Sequence, residues 1–191
     1  MDDSVALCPA PCVEDLIALT RAKDTGLGLV NLHPQLRQDI IEILTLKLSR
    51  VLLLNDSRFP WLVLVPDRPD VTELHALESA AKKVLMSELT VCSRVLEGLH
   101  RPDKINMGAL GNLVPQLHIH VIAHFETDAA WPGPIWGFRG RRPYCTSALE
   151  DTVTSLGRLL TKGKCKRPKR TPFRANLAEL CLYRRIRPFN I

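Results

Sequence analysis

The stretch QLHIHVIAH, residues 116–124, holds three of the chain's six histidines within seven residues. The remaining residues are mostly aliphatic or β-branched, which predicts a β-strand. Side chains of a strand alternate between two faces, so this strand has one apolar face and one polar face. The apolar face holds Leu117, Ile119, Val121 and Ala123, and the polar face holds Gln116, His118, His120, Ile122 and His124. Because imidazole rings are costly to bury without partners, we expect the polar face to meet solvent, a ligand or a metal.

Charge is distributed unevenly along the 191 residues, a length typical of one domain with appendages. The apolar share of 46% is sufficient for a core. Residues 138–191 contain fourteen Lys and Arg against three Asp and Glu, whereas residues 1–137 contain twelve against seventeen. We interpret the chain as an acidic body with a basic tail, so the overall net charge of +6 does not identify the ligand of the body.

Cysteine usage and the N-terminus indicate a reducing compartment. The six cysteines include no C-x-x-C pair and match neither a secreted disulfide framework nor a four-ligand zinc site. The N-terminus, MDDSVALCPAPC, lacks the basic and apolar regions of a signal peptide. No run of about 18 apolar residues is present, so we expect no membrane span and a cytoplasmic protein.

The predicted secondary structure is an antiparallel meander followed by a helix and two more strands. The first three strands are predicted at 39–44, 49–54 and 61–66, with NDSRFP (55–60) as turn material. From about Ser79 to Leu99, apolar residues recur at steps of 4, 3, 4 and 3, which predicts one long amphipathic helix. Shorter predictions are a strand at 104–110, the polar-faced strand at 117–124, a loop at 131–137 and a helix at 146–160.

These elements divide the chain into three parts. Residues 1–30 are an N-terminal extension with a short helix predicted at 13–24, and residues 31–160 form the domain. Residues 161–191 are a basic tail, and a block of like charge without an apolar period is expected to be disordered. The tail is open to interpretation as a polyanion arm that binds nucleic acid weakly, as a nuclear localisation signal, or as a dispensable solvated extension, which we favour.

Three functions compete for the histidine face. The first is a polar face that is only solvated. The second is a metal site, since two histidines at i and i+2 can both bind zinc, with His124 as a candidate third ligand. The third is nucleophilic catalysis at phosphorus, which needs a neutral attacking nitrogen, a group that holds the other ring proton, and donors for phosphate oxygens. We favour the third.

The segment GNLVPQLHIHVIAH, residues 111–124, resembles the signature of the histidine triad (HIT) superfamily of nucleotidyl hydrolases and transferases. The resemblance extends from about His33 to Gly137, and LGNLVPQLHIHVIAH with AWPGPIWG is similar to a bacterial subgroup. It implies a HIT-like α+β fold with an antiparallel sheet of about five strands, one long helix and a C-terminal helix. It also implies attack on the α-phosphorus of a nucleotide, without a metal or another cofactor, through a nucleotidyl-histidine intermediate.

Two registers fit this signature. The first places Gln116, His118 and His120 at the three triad positions and keeps the family's spacing from the Gly-Asn pair at 111–112. The second places His118, His120 and Ile122 there, which breaks that spacing and puts an apolar side chain where a phosphate donor belongs. We prefer the first register, in which His118 is the nucleophile and His120 is a phosphate donor.

This register contains two departures from the family. Gln116 stands where the first His belongs, and an amide donates hydrogen bonds but carries no charge. Leu113 stands where the family often has Ser or Thr, so one hydroxyl near the leaving oxygen is missing. The alternative to an enzyme is therefore a nucleotide-binding module with little or no turnover.

The resemblance also assigns nucleotide contacts outside the histidine row. Asn106 and Asn112 match positions that approach the phosphate, and Asn55 with Asp56 matches the turn that binds ribose hydroxyls. Asn55 and Asp56 are equally compatible with simply closing a turn. The expected partner is a small-molecule nucleotide, of purine type, and the resemblance does not choose among dinucleoside polyphosphates such as diadenosine polyphosphates, nucleoside phosphoramidates and adenylylated conjugates. A homodimer is left open.

Overall fold

A five-stranded antiparallel sheet with helices forms the described part of the chain, residues 30–162 of a computed structural model. The elements in chain order are α1 (Pro34–Asp39), β1 (Ile40–Thr45), β2 (Ser49–Leu54), β3 (Trp61–Pro66), a 3₁₀ turn (Leu74–Ala76), α2 (Ser79–His100), β4 (Lys104–Gly108), β5 (Ile119–His124) and α3 (Thr146–Lys162). This architecture confirms the predicted α+β class, with its sheet of five strands, its long helix and its C-terminal helix.

The strand order β1-β2-β3-β5-β4 brings the histidine strand into the interior of the sheet. Strands β1 to β3 form the predicted meander, because the turn at 55–60 folds β3 back onto β2. After α2, β4 becomes an edge strand and β5 pairs with both β4 and β3. His120 therefore lies opposite Val63 on one side and opposite Gly108 on the other.

Each face of the sheet buries its own hydrophobic cluster. Helices α2 and α3 pack on one face over a cluster that includes Leu85, Leu96 and Leu156. The other face is covered by the segment around Leu32 and by Ile135, which pack with side chains of β2, β3 and β5. The histidine row belongs to this second face.

The stripe predicted on α2 needs two corrections. Leu99 is exposed, whereas Glu88 is buried. Glu88 is tolerated inside because its Oε1 accepts a hydrogen bond from the Leu48 N–H at 2.7 Å, so a partner outside the helix overrides the apolar pattern.

Most predicted boundaries agree with the structure to within two residues. The exceptions are α1 and the 3₁₀ turn at 74–76, neither of which has an apolar period long enough to predict. The helix predicted at 13–24 and nearly all of the basic tail lie outside the described residues. Within residues 30–162, no helix has the length and the apolar character that a membrane span requires.

Candidate active site

Strand β5 and the residues before it sort their side chains between the two faces as alternation predicts. Leu117, Ile119, Val121 and Ala123 all belong to the helix-side cluster. Ile122 belongs to the opposite cluster. Since His118 and His120 lie on the same face of the strand as Ile122, they are on that side of the sheet. The rings of His118 and His120 lie edge to face with their centroids 5.0 Å apart.

His118 is oriented by the main chain of a neighbouring residue. Its Nδ1 lies 2.7 Å from the carbonyl oxygen of Gln116. A carbonyl oxygen only accepts, so Nδ1 carries the proton and, in the neutral ring, Nε2 keeps its lone pair. His118 is 7% exposed and borders a small depression whose other walls are Thr72, Glu73, Ala109, Leu110, Gly111 and Leu117.

His120 has the opposite polarity at its Nδ1. The indole Nε1–H of Trp61 donates to His120 Nδ1 at 2.9 Å. Since the indole can only donate, Nδ1 is the acceptor and the proton of the neutral ring lies on Nε2. Burial lowers the pKa of His120 to about 4, with a further contribution from the neighbouring His118. The two histidines therefore offer complementary atoms, a lone pair on one Nε2 and an N–H on the other.

A second tryptophan completes an aromatic cluster around His120. The ring of Trp136 lies 6.1 Å from that of His120 and 6.3 Å from that of Trp61, both edge to face. Gly108 makes this approach possible, because a Cβ there would lie 3.1 Å from Cζ2 of Trp136. The Trp136 Nε1 is buried and has no hydrogen-bond partner among the described residues. Of the two tryptophans in the 131–137 loop, Trp136 lies at the site.

Gln116 uses its side chain to hold the segment that precedes α1. Its Oε1 accepts from the His33 N–H at 2.9 Å, and its Nε2 donates to the Asn31 carbonyl at 3.0 Å. Residue 116 thus serves the site twice, since its main-chain carbonyl orients His118 and its amide fixes residues 31–33. A phosphate contact by the Gln116 amide, as expected from the register, stays a prediction.

Asn55 and Asp56 lie at the β2–β3 turn and anchor a later segment of the chain. The Asn55 Oδ1 accepts from the Tyr144 N–H at 2.9 Å. Asp56 is 3% exposed, and its carboxylate accepts from Arg58 and from the Arg142 N–H. Although burial raises the pKa of Asp56, these hydrogen bonds lower it below its ordinary value. The structure gives both residues the turn-closing role, and ribose binding stays a prediction.

The two remaining asparagines differ in position. Asn106 is half-buried and pairs with Ile122 across β4 and β5, so it shares the histidine face. Asn112 is exposed in the loop after Gly111, whose φ of 68° suits glycine. Leu113 is 80% exposed and packs little of its side chain.

His124 ends the row in a closed environment. Its Nδ1 lies 2.6 Å from the Asp128 Oδ2, and its Nε2 lies 3.0 Å from the Gly133 carbonyl oxygen. His124 is 2% exposed and its ring also contacts that of Trp131. Between residues 30 and 162, no group of three or more His, Cys, Asp or Glu side chains is arranged to hold a metal ion. His124 is thus not combined with His118 and His120 into a ligand set.

Sequence reasoning missed three residues of this region, namely Trp61, Gly108 and Asp128. Trp61 and Gly108 reach His120 only through strand pairing, and the register between strands is not visible in a single strand. The contact of Asp128 with His124 was predictable from local sequence, because an acidic residue four positions after a histidine at a strand end can fold back onto that histidine.

Comparison with known proteins places the chain in a family. The HIT domain family matches residues 35–127. A histidine triad protein from Bradyrhizobium japonicum is 42% identical, with a TM-score of 0.67, over 69% of this chain and 98% of that protein. One from Marinobacter aquaeolei is 36% identical, with a TM-score of 0.68, over 72% of this chain and 100% of that protein.

A third solved structure, a histidine triad protein from Sinorhizobium meliloti, is 40% identical, with a TM-score of 0.65, over 66% of this chain and 93% of that protein. None of the curated proteins that were compared is significantly similar to the chain. The identity and near-complete coverage of the three solved proteins are decisive, and the chain belongs to the histidine triad (HIT) family, whose members act on or bind nucleotides.

Proposed function

We propose that the chain is a nucleotide hydrolase or nucleotidyl transferase that acts at the α-phosphorus of a purine nucleotide, with His118 as the nucleophile. The observation that carries this proposal is the 2.7 Å contact between His118 Nδ1 and the Gln116 carbonyl oxygen. It holds the proton on Nδ1 and leaves the Nε2 lone pair for attack. Proximity of His120, which presents an N–H donor, supports the same assignment.

The first step forms a bond from His118 Nε2 to phosphorus and breaks the bond from phosphorus to the leaving atom. The proton stays on Nδ1 and remains hydrogen-bonded to the Gln116 carbonyl oxygen, so the intermediate is a nucleotidyl-imidazolium. His120 Nε2–H donates to a non-bridging oxygen as the charge on that oxygen grows. In the second step, water or another acceptor attacks phosphorus, releases His118 with its lone pair restored, and gives up its proton to solvent.

The nucleoside is placed by the polar residues around the histidines, because the apolar cluster of Leu52, Trp61 and Val63 is buried. Asn106 and Asn112 are proposed as phosphate donors, and Asn55 and Asp56 remain the proposed ribose contacts. Since both Asp56 oxygens already accept hydrogen bonds, we expect Asn55 to make the larger contribution.

The test is a panel of a dinucleoside polyphosphate, a nucleoside phosphoramidate and an adenylylated amine, with intact-mass detection of a nucleotidyl adduct. We expect turnover of one class, resistance to a metal chelator, and an adduct that is lost in His118→Asn. His120→Ala is expected to keep residual turnover. If His118→Asn keeps the wild-type kcat and His120→Asn abolishes it, the nucleophile is His120 and the register is wrong.

A binding module without turnover is the second candidate, and one observation favours it. The Gln116 amide is engaged by residues 31 and 33, so the first triad position offers no cation to the developing phosphate charge. This candidate predicts micromolar or tighter nucleotide binding by calorimetry with no product and no adduct across the whole panel.

A further inference from the structure

We propose that Trp61 is a positioning residue that fixes His120 as the Nε2–H tautomer, so that the third triad position acts as a neutral hydrogen-bond donor. The inference rests on the proposed function for its catalytic meaning. The tautomer assignment itself follows from hydrogen-bond geometry and does not depend on whether the protein turns over a substrate.

The hydrogen bond from Trp61 defines the tautomer. The 2.9 Å contact joins a group that only donates, the indole N–H, to His120 Nδ1. A proton on Nδ1 would point at the indole proton, so the bond exists only while Nδ1 is unprotonated. Trp61 is itself 8% exposed and is held by its strand, which leaves its ring little freedom to turn away.

The surroundings oppose a second proton on His120. The rings that contact it are those of His118, Trp61 and Trp136, and only His118 among these can titrate. Its strand neighbours, Val63 and Gly108, carry no charge. Burial therefore disfavours an imidazolium, and no acid among residues 30–162 offsets it, in agreement with the pKa of about 4.

A neutral donor suits the chemistry of the adjacent histidine. When His118 bears the nucleotidyl group and keeps its Nδ1 proton, its ring is positively charged. A second imidazolium whose centroid lies 5.0 Å away would repel that intermediate. By fixing a neutral ring with its N–H on Nε2, Trp61 supplies the donor without the repulsion.

The experiment reads the tautomer directly. Two-bond ¹H–¹⁵N correlation spectra of ¹⁵N-histidine-labelled protein assign the protonated nitrogen of His120. We expect Nε2–H in the wild type and a mixture of tautomers in Trp61→Phe. Losing one neutral hydrogen bond should lower kcat/KM roughly threefold to tenfold, and should move the acid limb of its pH profile to higher pH.

Trp136→Phe is the matched control, since that ring also packs on His120 but donates no hydrogen bond to it. We expect Trp136→Phe to keep the Nε2–H tautomer. A second variant, in which Trp61 is replaced by benzothienylalanine, keeps the bicyclic shape and removes only the N–H, so it should reproduce the mixed tautomers of Trp61→Phe even if the phenylalanine variant folds poorly.

The outcomes separate this inference from the proposed function. A wild-type His120 with its proton on Nδ1, or a benzothienylalanine variant with an unchanged spectrum, overturns the positioning role whatever the turnover. The expected tautomer change in a protein without turnover on any substrate supports the positioning role and counts against the proposed function alone.

Discussion

The two ends of the histidine row share one strand and one residue type, yet their ring nitrogens differ in hydrogen bonding. At the His118 and His120 end, each ring has one nitrogen engaged within the chain, by Gln116 and by Trp61. At the His124 end, both ring nitrogens are engaged, by Asp128 and by Gly133. Within the described part of the chain, the first end leaves one nitrogen of each ring for a ligand, and the second end leaves none.

This difference indicates what separates a reactive histidine from a structural one. It is the number of ring nitrogens without a hydrogen-bond partner in the described chain, and not the spacing of the rings. Both ring nitrogens of His124 face acceptor oxygens, those of the Asp128 carboxylate and the Gly133 carbonyl. These contacts close the loop that runs from β5 to Trp136, so the structural histidine helps to build the wall of the reactive site.

The largest effect that would break this comparison is expected from Asp128→Asn. The change leaves a ring without its carboxylate in a site where His124 is 2% exposed. The Asp128 carboxylate also accepts from the Phe125 N–H, and a hydrogen bond to a charged group contributes about 1.5–3 kcal/mol, so weakening both contacts should lower the free energy of unfolding by about 3 kcal/mol. Denaturant unfolding at pH 7 measures it.

Two further variants sharpen the test of Asp128→Asn. Glu126→Gln removes an exposed carboxylate from the same loop and should change stability by less than about 0.5 kcal/mol. His118→Asn should lower kcat by several orders of magnitude with little loss of stability. Asp128→Asn with wild-type stability would show that the contact between His124 and Asp128 does not support the fold, and would remove the contrast between the two ends.

The fold was predictable because its signals are local. The runs of aliphatic residues at β2 and β3 and the stripe on α2 predicted those elements within one residue. The alternation of β5 likewise predicted which side chains enter the helix-side cluster. Glu88 and α1 escaped prediction because a tertiary hydrogen bond and a six-residue helix leave no periodic trace.

The candidate site was predictable only in part, since its chemistry depends on contacts across the sheet. The sequence identified the row and the preferred nucleophile, but the tautomer of His120 is set by Trp61, which is 59 residues earlier. The hydrogen-bond partners of the Gln116 amide are residues 31 and 33, which are more than 80 residues away. Pairings over such separations are not encoded in local pattern.

The next effect concerns Gln116, which belongs to the reactive end although its amide is occupied. Gln116→His loses the hydrogen bonds with Asn31 and His33, and we expect a loss of about 1–3 kcal/mol in stability together with a higher KM. Gln38→Ala, an exposed glutamine of α1, is the control and should be neutral. A rise in kcat with unchanged stability would instead mean that position 116 contacts the phosphate, as an imidazole there would do better than an amide.

The smallest effect is a pH dependence confined to the reactive end. The pKa of His120 is lowered from 6.5 to about 4 by burial and by His118. A base whose folded pKa is lowered takes up its proton more readily when unfolded, so its contribution to stability is complete above pH 6.5 and declines as the pH falls towards 4. Between pH 7 and pH 5.5 this amounts to about 1 kcal/mol.

Comparison of the wild type with His120→Asn isolates that contribution from the other histidines. The Asn side-chain oxygen can still accept from Trp61, so the substitution removes the titrating ring while it keeps the indole hydrogen bond within reach. We expect the wild type to lose about 1 kcal/mol more than His120→Asn when denaturant unfolding at pH 7 is repeated at pH 5.5. A stability difference between the two proteins that does not change with pH would mean that His120 titrates in the folded protein as it does in the unfolded chain. His120 would then not be held neutral by its surroundings, and the reactive end would lose the neutral donor that distinguishes it.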